Sequence, residues 1–338
     1  MTDIMRIVPK AKEDGLYLLA YLMTPTGQAL IRRGRTGTTV DHLAPGDVLS
    51  IPVVWPGKDD RTRYAAQMRR VQQLLDRARE ALRTAEEKLH ANAGLRFEAL
   101  KAKYYSSQGA RVFTYTAREL GLRLDSAYYD PLVFAARSAV EKAGSCRLDE
   151  AAGLRQLGRY KRYYVPKGHG RPILSGSHLT QLHPVNLQYI SDRSFRAPES
   201  FALMRGWSLF TCDGRAEESL GATACVSSLW DGWTASNHVM RVIPRSGFRP
   251  GYLYLALRSP FVQIQLKSRA TGNVVDALDV PTVSDVLLPA LNREQRDDLG
   301  KEAEHAWEKV AAALRLEEQT VNELEKLIVD SYESNRSS

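Results

Sequence analysis

The chain has 338 residues, enough for about two domains with a core each. Hydrophobic residues are 43% and charged residues 25%, the mix of a soluble globular protein, and no apolar run nears the roughly 18–20 residues of a membrane span. The net charge of +8 favours a polyanionic partner, because each neutralised phosphate releases counterions.

Residues 1–58 read as the C-terminal tail of a truncated α/β domain. Ile7-Val8-Pro9 is a short strand ending at a proline. Leu16 to Leu30 carries apolar residues at helical spacing, broken by Pro25. Arg33 to Val40 is a basic, glycine-bearing loop, and Val48 to Val54 is a β-branched strand closed by Trp55-Pro56-Gly57. The start, Met1-Thr2-Asp3-Ile4, lacks the basic-then-apolar pattern of a secretory signal.

Residues 59–105 form a long helix. Tyr64, Met68, Val71, Leu75, Ala78, Leu82, Ala85 and Leu89 follow one another in alternating steps of four and three, the spacing of a heptad seam. Such a stripe requires a partner helix. Residues 106–290 form a complete domain rich in short strands and turns. Residues 291–330 form a second long helix, with Trp307, Val310, Leu314, Val321, Leu324 and Ile328 on one stripe and Glu317 interrupting it. Residues 331–338 read as a disordered tail. The expected fold class is α/β (α+β), with the two helices paired as an antiparallel coiled coil.

The tail is repeated. Residues 4–43 match 239–278 at a constant shift of 235, with thirteen identities in forty positions and no gap. They include Met5-Arg6/Met240-Arg241, Tyr17-Leu18/Tyr252-Leu253, Gln28/Gln263 and Thr36-Gly37/Thr271-Gly272. The long helices follow the two copies in the same way, and Pro52 is echoed by Pro289. The period is far too long for a solenoid, so the unit is a domain tail plus a long helix, present twice.

Few residues offer chemistry. Cys146, Cys212 and Cys225 are odd in number and widely spaced, which fits a reducing cytoplasm better than a disulfide scaffold. His178 and His183 do not share a helix face, and no Cys-x-x-Cys exists, so no metal site is expected. Gly168-His169-Gly170 is a plain loop rather than a phosphate cradle, and Glu86-Glu87-Lys88 is a solvated helix face rather than a nuclease motif. Ser175, His178 and Asp192 lack a nucleophile elbow. No Asn/Asp-Pro-Pro-Tyr/Phe string is present to hold a flipped adenine.

The richest basic stretch is Arg155, Arg159, Lys161, Arg162, Lys167 and Arg171, interleaved with Tyr160, Tyr163, Tyr164 and His169. Cations among aromatic planes suit a nucleic-acid surface. Lys267, Arg269 and Asn273, around the repeated Gly272, are a second candidate, and Arg32, Arg33 and Arg35 are their counterparts in the first copy. Arg241 and its twin Arg6 read as structural residues at a strand edge.

Several pieces in order resemble the DNA-specificity (S) subunit of type I restriction-modification systems. They are Arg123-Leu124-Asp125-Ser126-Ala127-Tyr128-Tyr129-Asp130-Pro131 and Pro172-Ile173-Leu174-Ser175-Gly176-Ser177-His178-Leu179. Trp207-Ser208-Leu209-Phe210 follows, where that family usually has a Gly-Asp-Ile/Leu strand. Then come Gly251 to Pro260, Ala270-Thr271-Gly272-Asn273, Leu288-Pro289 and the helix start Asn292-Arg293-Glu294-Gln295. The resemblance covers residues 120–330.

It implies two target-recognition domains separated by two long helices that act as a ruler and dock partners. It implies a non-catalytic, cytoplasmic reader of double-stranded DNA with no cofactor of its own. S-adenosylmethionine and the target adenine would be handled by partner methyltransferase subunits, and a restriction subunit could join. Here the first recognition domain is expected to be truncated, completed by another chain, by a second copy, or not at all. The rival readings are a coiled-coil interaction scaffold and an unrecognised nucleic-acid-modifying enzyme.

Overall fold

A computed structural model describes residues 5–33, 43–105, 112–120, 123–272 and 276–336. Its helices are α1 (Lys12–Met23), α2 (Pro25–Arg33), α3 (Pro45–Leu49), α4 (Lys58–Asn92), α5 (Phe97–Tyr104), α6 (Pro131–Lys142), α7 (Leu148–Ala151), α8 (Gly176–Leu179), α9 (Pro250–Arg258), α10 (Pro260–Ser268), α11 (Val280–Val283) and α12 (Arg293–Arg336). Its strands are β1 (Ser145–Arg147), β2 (Ala152–Arg155), β3 (Tyr164–Val165), β4 (Arg171–Leu174), β5 (Gln188–Ile190), β6 (Ser208–Thr211), β7 (Asp213–Gly214), β8 (Thr223–Cys225), β9 (Thr234–Ala235), β10 (Val239–Pro244), β11 (Asp276–Ala277) and β12 (Leu287–Pro289). Helices and sheets are mixed, as the α/β (α+β) reading expects. The chain divides into one unit of Met1–Asp76 with Lys309–Ser338 and another of Arg77–Glu308.

The larger unit is built on two four-stranded sheets, in the orders β2-β10-β6-β8 and β3-β5-β4-β9. The first is antiparallel throughout; in the second, β4 and β9 run parallel. Helix α9 packs on β6, β8 and β12. Its residues Gly251 to Leu257 are all buried, which explains why its sequence is apolar all round. A Cβ on Gly251 would lie 2.1 Å from the Gly300 carbonyl oxygen, so only glycine lets α9 cross α12 this closely. Glu304 of α12 accepts from the Gly251 N–H at 3.1 Å, satisfying an amide that the first turn of α9 leaves open, and pairs with Arg249 at 2.9 Å. Helix α6 starts at Pro131 because the Asp130 carboxylate accepts from the Leu132 N–H and proline needs no partner there.

Arg241 corrects an expectation. It stands in β10, between β2 and β6, not at a strand edge, and is almost fully buried. Its guanidinium donates to Ala235 O at 2.6 Å, Val239 O at 2.8 Å and Ser236 O at 3.4 Å. Burial pushes its pKa down to about 10, which leaves it charged at neutral pH.

In the smaller unit, Tyr17, Ala20 and Tyr21 of α1 share a core with Tyr64 and Met68 of α4 and Leu324 and Ile328 of α12. The Tyr17 hydroxyl donates to Val54 O at 2.5 Å and the Tyr21 hydroxyl to Pro52 O at 2.8 Å. These bonds strap residues 51–57 across the helices. Two strand expectations fail here. Among the described residues, 5–9 are in no sheet, and Val48 and Leu49 lie in α3, with no strand assigned after it up to α4. Asp47 starts that helix by accepting from the Ala44 N–H at 3.1 Å.

All eight α4 seam positions are buried. The first half of α4 packs on the last part of α12 in the smaller unit, and Lys88 meets Glu302 at 2.7 Å in the larger one, so the helices pair antiparallel. On α12 the seam runs through Leu299, Ala303, Ala306, Val310, Ala313, Thr320, Leu324 and Ile328, with Trp307 buried beside it. Leu314 and Val321 are only half-buried and flank the seam, which corrects their placement on it.

The helix expected over 59–105 stops at Asn92. Gly94 takes φ +65°, the Leu95 N–H donates to His90 O and the Gly94 N–H to Ala91 O, a Schellman termination. The second helix runs on to Arg336, past the expected start of a disordered tail at 331. Among the described residues no helix is long and apolar enough to cross a membrane.

Candidate nucleic-acid interface

The basic stretch of the larger unit runs from the end of β2, through a loop and β3, into β4. Tyr160 is its anchor: its ring packs on Phe195 and Phe201, and these rest on Ile173 and Ile190. Tyr163 and Tyr164 point outward and are about half exposed, at 44% and 51%. At the tip, the His169 N–H donates to Pro166 O and Gly168 takes φ +87°, a type II turn that presents Lys167 and His169. A Cβ on Gly170 would lie 2.4 Å from Ile190 O. Both glycines of Gly168-His169-Gly170 therefore have backbone reasons.

The six cations separate into two groups. Arg159 and Lys161 are exposed, and the Lys161 ammonium lies 5.0 Å from the centre of the Tyr163 ring. Lys167 is exposed on the turn. Arg155 is half-buried at the end of β2, opposite Arg241. Arg162 donates to Asn237 Oδ1 at 2.6 Å and leans over Tyr160, which fixes its direction. Arg171 is committed elsewhere. Its guanidinium meets Asp192 at 2.8 Å, Glu199 at 3.3 Å and Gly232 O at 3.3 Å, so it ties the sheet to the turns beside it rather than offering a free fork.

The fold adds cations that sequence reading passed over. The Tyr163 N–H donates to Ser194 Oγ, and the Ser191 N–H to Tyr163 O, both at 2.9 Å. This brings the turn Asp192–Ser194 beside the basic loop, with Arg193 exposed on it and Arg196 exposed two residues after it. Neither these two nor Arg159 makes an ion pair among the described residues. The available signal was Arg193-Ser194-Phe195-Arg196, two cations bracketing a core aromatic. His238, hydrogen-bonded to Asp213 through Nδ1, directly follows Asn237, which holds Arg162.

The second candidate group is not a surface cluster. Arg269 grips both oxygens of Asp285, at 2.7 and 3.0 Å, and donates to Thr282 O at 3.1 Å, so it fastens the turn around α11. Lys267 is half-buried and lines a cavity of about 560 Å³ with Tyr105, Asp130 and Glu217. Asn273 and Arg35 lie outside the described residues. Arg32 and Arg33 are exposed at the end of α2.

The residues weighed for catalysis have structural partners. His178 accepts from the Ser175 N–H at Nδ1, 3.0 Å, which leaves Nε2–H to donate to Val185 O at 3.1 Å. Asp192 is with Arg171. Burial pushes the Cys212 and Cys225 thiols up to about 12, leaving no thiolate at neutral pH. Glu86 is not solvated as expected. It is mostly buried against Arg258 at 3.4 Å, and burial raises its carboxyl pKa.

His90 gives the larger unit a pH dependence. It is half-buried beside Phe261, its Nε2 lies 2.9 Å from Ser259 Oγ, and burial lowers its pKa, as burial also does for His178. A lowered folded value means the unfolded chain binds more protons, so stability falls as pH drops below the ordinary imidazole value of about 6.5. Urea unfolding at pH 7 and pH 5 is expected to show this loss, and His90→Gln should reduce it. An equal loss in the variant would remove His90 from the effect.

No family model and no curated protein matches the chain. Solved structures similar to it include three with a TM-score of 0.35 each. The HsdS subunit from Thermoanaerobacter tengcongensis is 17% identical, the match covering 92% of this chain and 67% of that one. The type I restriction-modification S subunit from M. genitalium is 13% identical, covering 94% and 71%. A structure described for complex assembly and conformational transition of the type I restriction-modification system is 19% identical, covering 92% and 68%. These three structures are of type I restriction-modification systems, two of them S subunits.

Proposed function

We propose that this chain is a DNA-specificity subunit. Its larger unit reads one part of a DNA site, and its paired helices carry the partners that act there. The observation that carries the reading is the surface formed by Arg159, Lys161, Lys167, Arg193 and Arg196 around the exposed Tyr163 and Tyr164. Cations of this kind hold phosphates, while the tyrosines and the directed Arg162 fork are suited to groove contacts. The ordered motifs read from the sequence supply the partner class. An adenine methyltransferase would bring S-adenosylmethionine and the reaction, and a restriction subunit could join the same complex. The chain itself would position and not catalyse, in the cytoplasm where the DNA is.

The test is binding of the full chain to a random duplex library across salt, with and without an adenine methyltransferase. Five phosphate contacts give a slope of log K against log salt of about −4.5, and a specificity subunit enriches a short motif. Salt-insensitive partner binding with no enriched motif would instead identify an interaction scaffold. Modification of DNA by the isolated chain would identify an enzyme.

A further inference from the structure

Three connections leave the first sheet of the larger unit at one end. Arg155 pairs with Arg241 and Thr211 with Val239, so the end of β2, the end of β6 and the start of β10 lie side by side. Gln156, Cys212-Asp213 and Asn237-His238 therefore emerge together, and the basic loop starts from the same place.

Asn237 and His238 are the centre of a tight turn, in which the Val239 N–H donates to Ser236 O at 3.2 Å. The backbone of this turn is held from two neighbours. The Cys212 N–H donates to His238 O at 3.0 Å, and Gln156 Nε2 donates to Asn237 O at 3.5 Å. Both side chains are held as well. Arg162 can only donate, so the atom it meets at 2.6 Å is Asn237 Oδ1. His238 Nδ1 is hydrogen-bonded to the Asp213 carboxylate, an acceptor. That bond puts a proton on Nδ1 and leaves the lone pair of the neutral ring on Nε2. The ring is half exposed, and among the described residues Nε2 has no partner.

We infer that His238, positioned by Asp213, is a specificity-determining residue that accepts a hydrogen bond from the exocyclic amine of one base, adenine N6 or cytosine N4. These amines are the donors that the major groove offers. A phosphate diester has no proton to give, so an imidazole presenting a lone pair is unsuited to it. A fixed direction is what base discrimination requires, and Asp213 supplies it. Arg162, held by the same turn, is a donor fork of the kind that reads guanine O6 and N7. The turn thus sets an acceptor beside a donor, while Arg159, Lys161 and Arg193 supply charge. This role rests on the larger unit reading DNA as proposed above.

The test uses the full chain at pH 8. Selection from a random duplex library gives the motif read by the unaltered protein and by His238→Ala. The variant is expected to lose about tenfold in preference at one base pair and to keep the rest of the motif. The amine of that pair is then removed, with purine in place of adenine or pyrimidin-2-one in place of cytosine. Its loss should weaken the unaltered protein about tenfold more than it weakens His238→Ala. Asp213→Asn, whose amide can donate to Nδ1 and so turn Nε2 into a donor, should relax the same pair. The ring is half exposed, so His238→Ala should unfold in urea as the unaltered protein does. The salt slope should be unchanged in both variants, because no phosphate contact is lost. Amine removal that costs both proteins alike would overturn the assignment. So would a slope shallower by about one in His238→Ala, the mark of a phosphate contact. A protein that enriches a motif untouched by His238→Ala loses this assignment and keeps the proposed function. A protein that enriches no motif loses both.

Discussion

Replacing Arg241 with methionine is expected to cost about 2–4 kcal/mol, while the same change at its sequence twin Arg6 stays within about 0.5 kcal/mol. The two residues occupy equivalent positions of the repeat, yet their surroundings differ completely. Arg241 lies inside the sheet, and its guanidinium satisfies the carbonyl oxygens of Ala235, Ser236 and Val239 where the chain turns from β9 into β10. Methionine fills similar volume but leaves these acceptors buried without a donor, at about 1–3 kcal/mol for each that cannot reach water. Relief from burying a charge offsets part of this, since burial has already pulled the Arg241 pKa down to about 10. Arg6 is exposed, and no such cage surrounds it among the described residues. Urea unfolding, with amide exchange to resolve residues 235–244, separates the two. Equal effects in the twins would show that the cage contributes nothing.

The twins also show what can be read from sequence. The repeat was legible because identities survive wherever the local frame demands a residue: Pro25 and Pro260 open a helix, and Gln28 and Gln263 bond the same carbonyl position. The α4 seam was legible because its spacing follows from helix geometry and its residues are mostly large. The α12 seam was less so. It passes through Ala303, Ala306, Ala313 and Thr320, small or polar residues that hydropathy skips, and Leu314 and Val321 attracted the assignment instead. Gly94, whose positive φ ends α4, stands between two helical stretches, so the break is not visible in the apolar spacing.

Strand propensity misled at Val48–Val54 for a different reason. A β-branched run becomes a strand only where a neighbour offers hydrogen bonds. Its counterpart in the second copy has β1; among the described residues of the first copy no strand pairs with this segment, and tyrosine hydroxyls of α1 bond its carbonyls instead. The candidate site was half legible. Composition placed the cations and tyrosines together, but it could not distinguish Arg171 and Arg269, spent on carboxylates, from Arg159, which is not. Nor could it bring Arg193 and Arg196 alongside from another turn. Charge is a property of sequence, whereas availability of charge depends on which carboxylates the fold places within reach.

That distinction yields the sharpest expectation for DNA binding. The triple variant Arg159→Ala, Lys161→Ala, Arg193→Ala is expected to bind duplex about 100-fold more weakly near physiological salt. Its slope of log K against log salt should be shallower by about 2.7, three contacts at 0.9 each. Its fold stability should change by no more than about 0.5 kcal/mol, since all three side chains are exposed. Arg171→Ala should do the reverse. Losing Asp192, Glu199 and Gly232 O loosens the turns beside the sheet, while the number of phosphates held, and so the salt slope, stays the same. Arg162→Ala falls between them, because its fork is aimed by Asn237. It should relax preference at one base position and change the slope little. Fluorescence anisotropy at several salt concentrations, paired with unfolding curves, distinguishes the three patterns. A triple variant with unchanged affinity and slope would remove this loop from the interface and leave the larger unit without a demonstrated DNA surface.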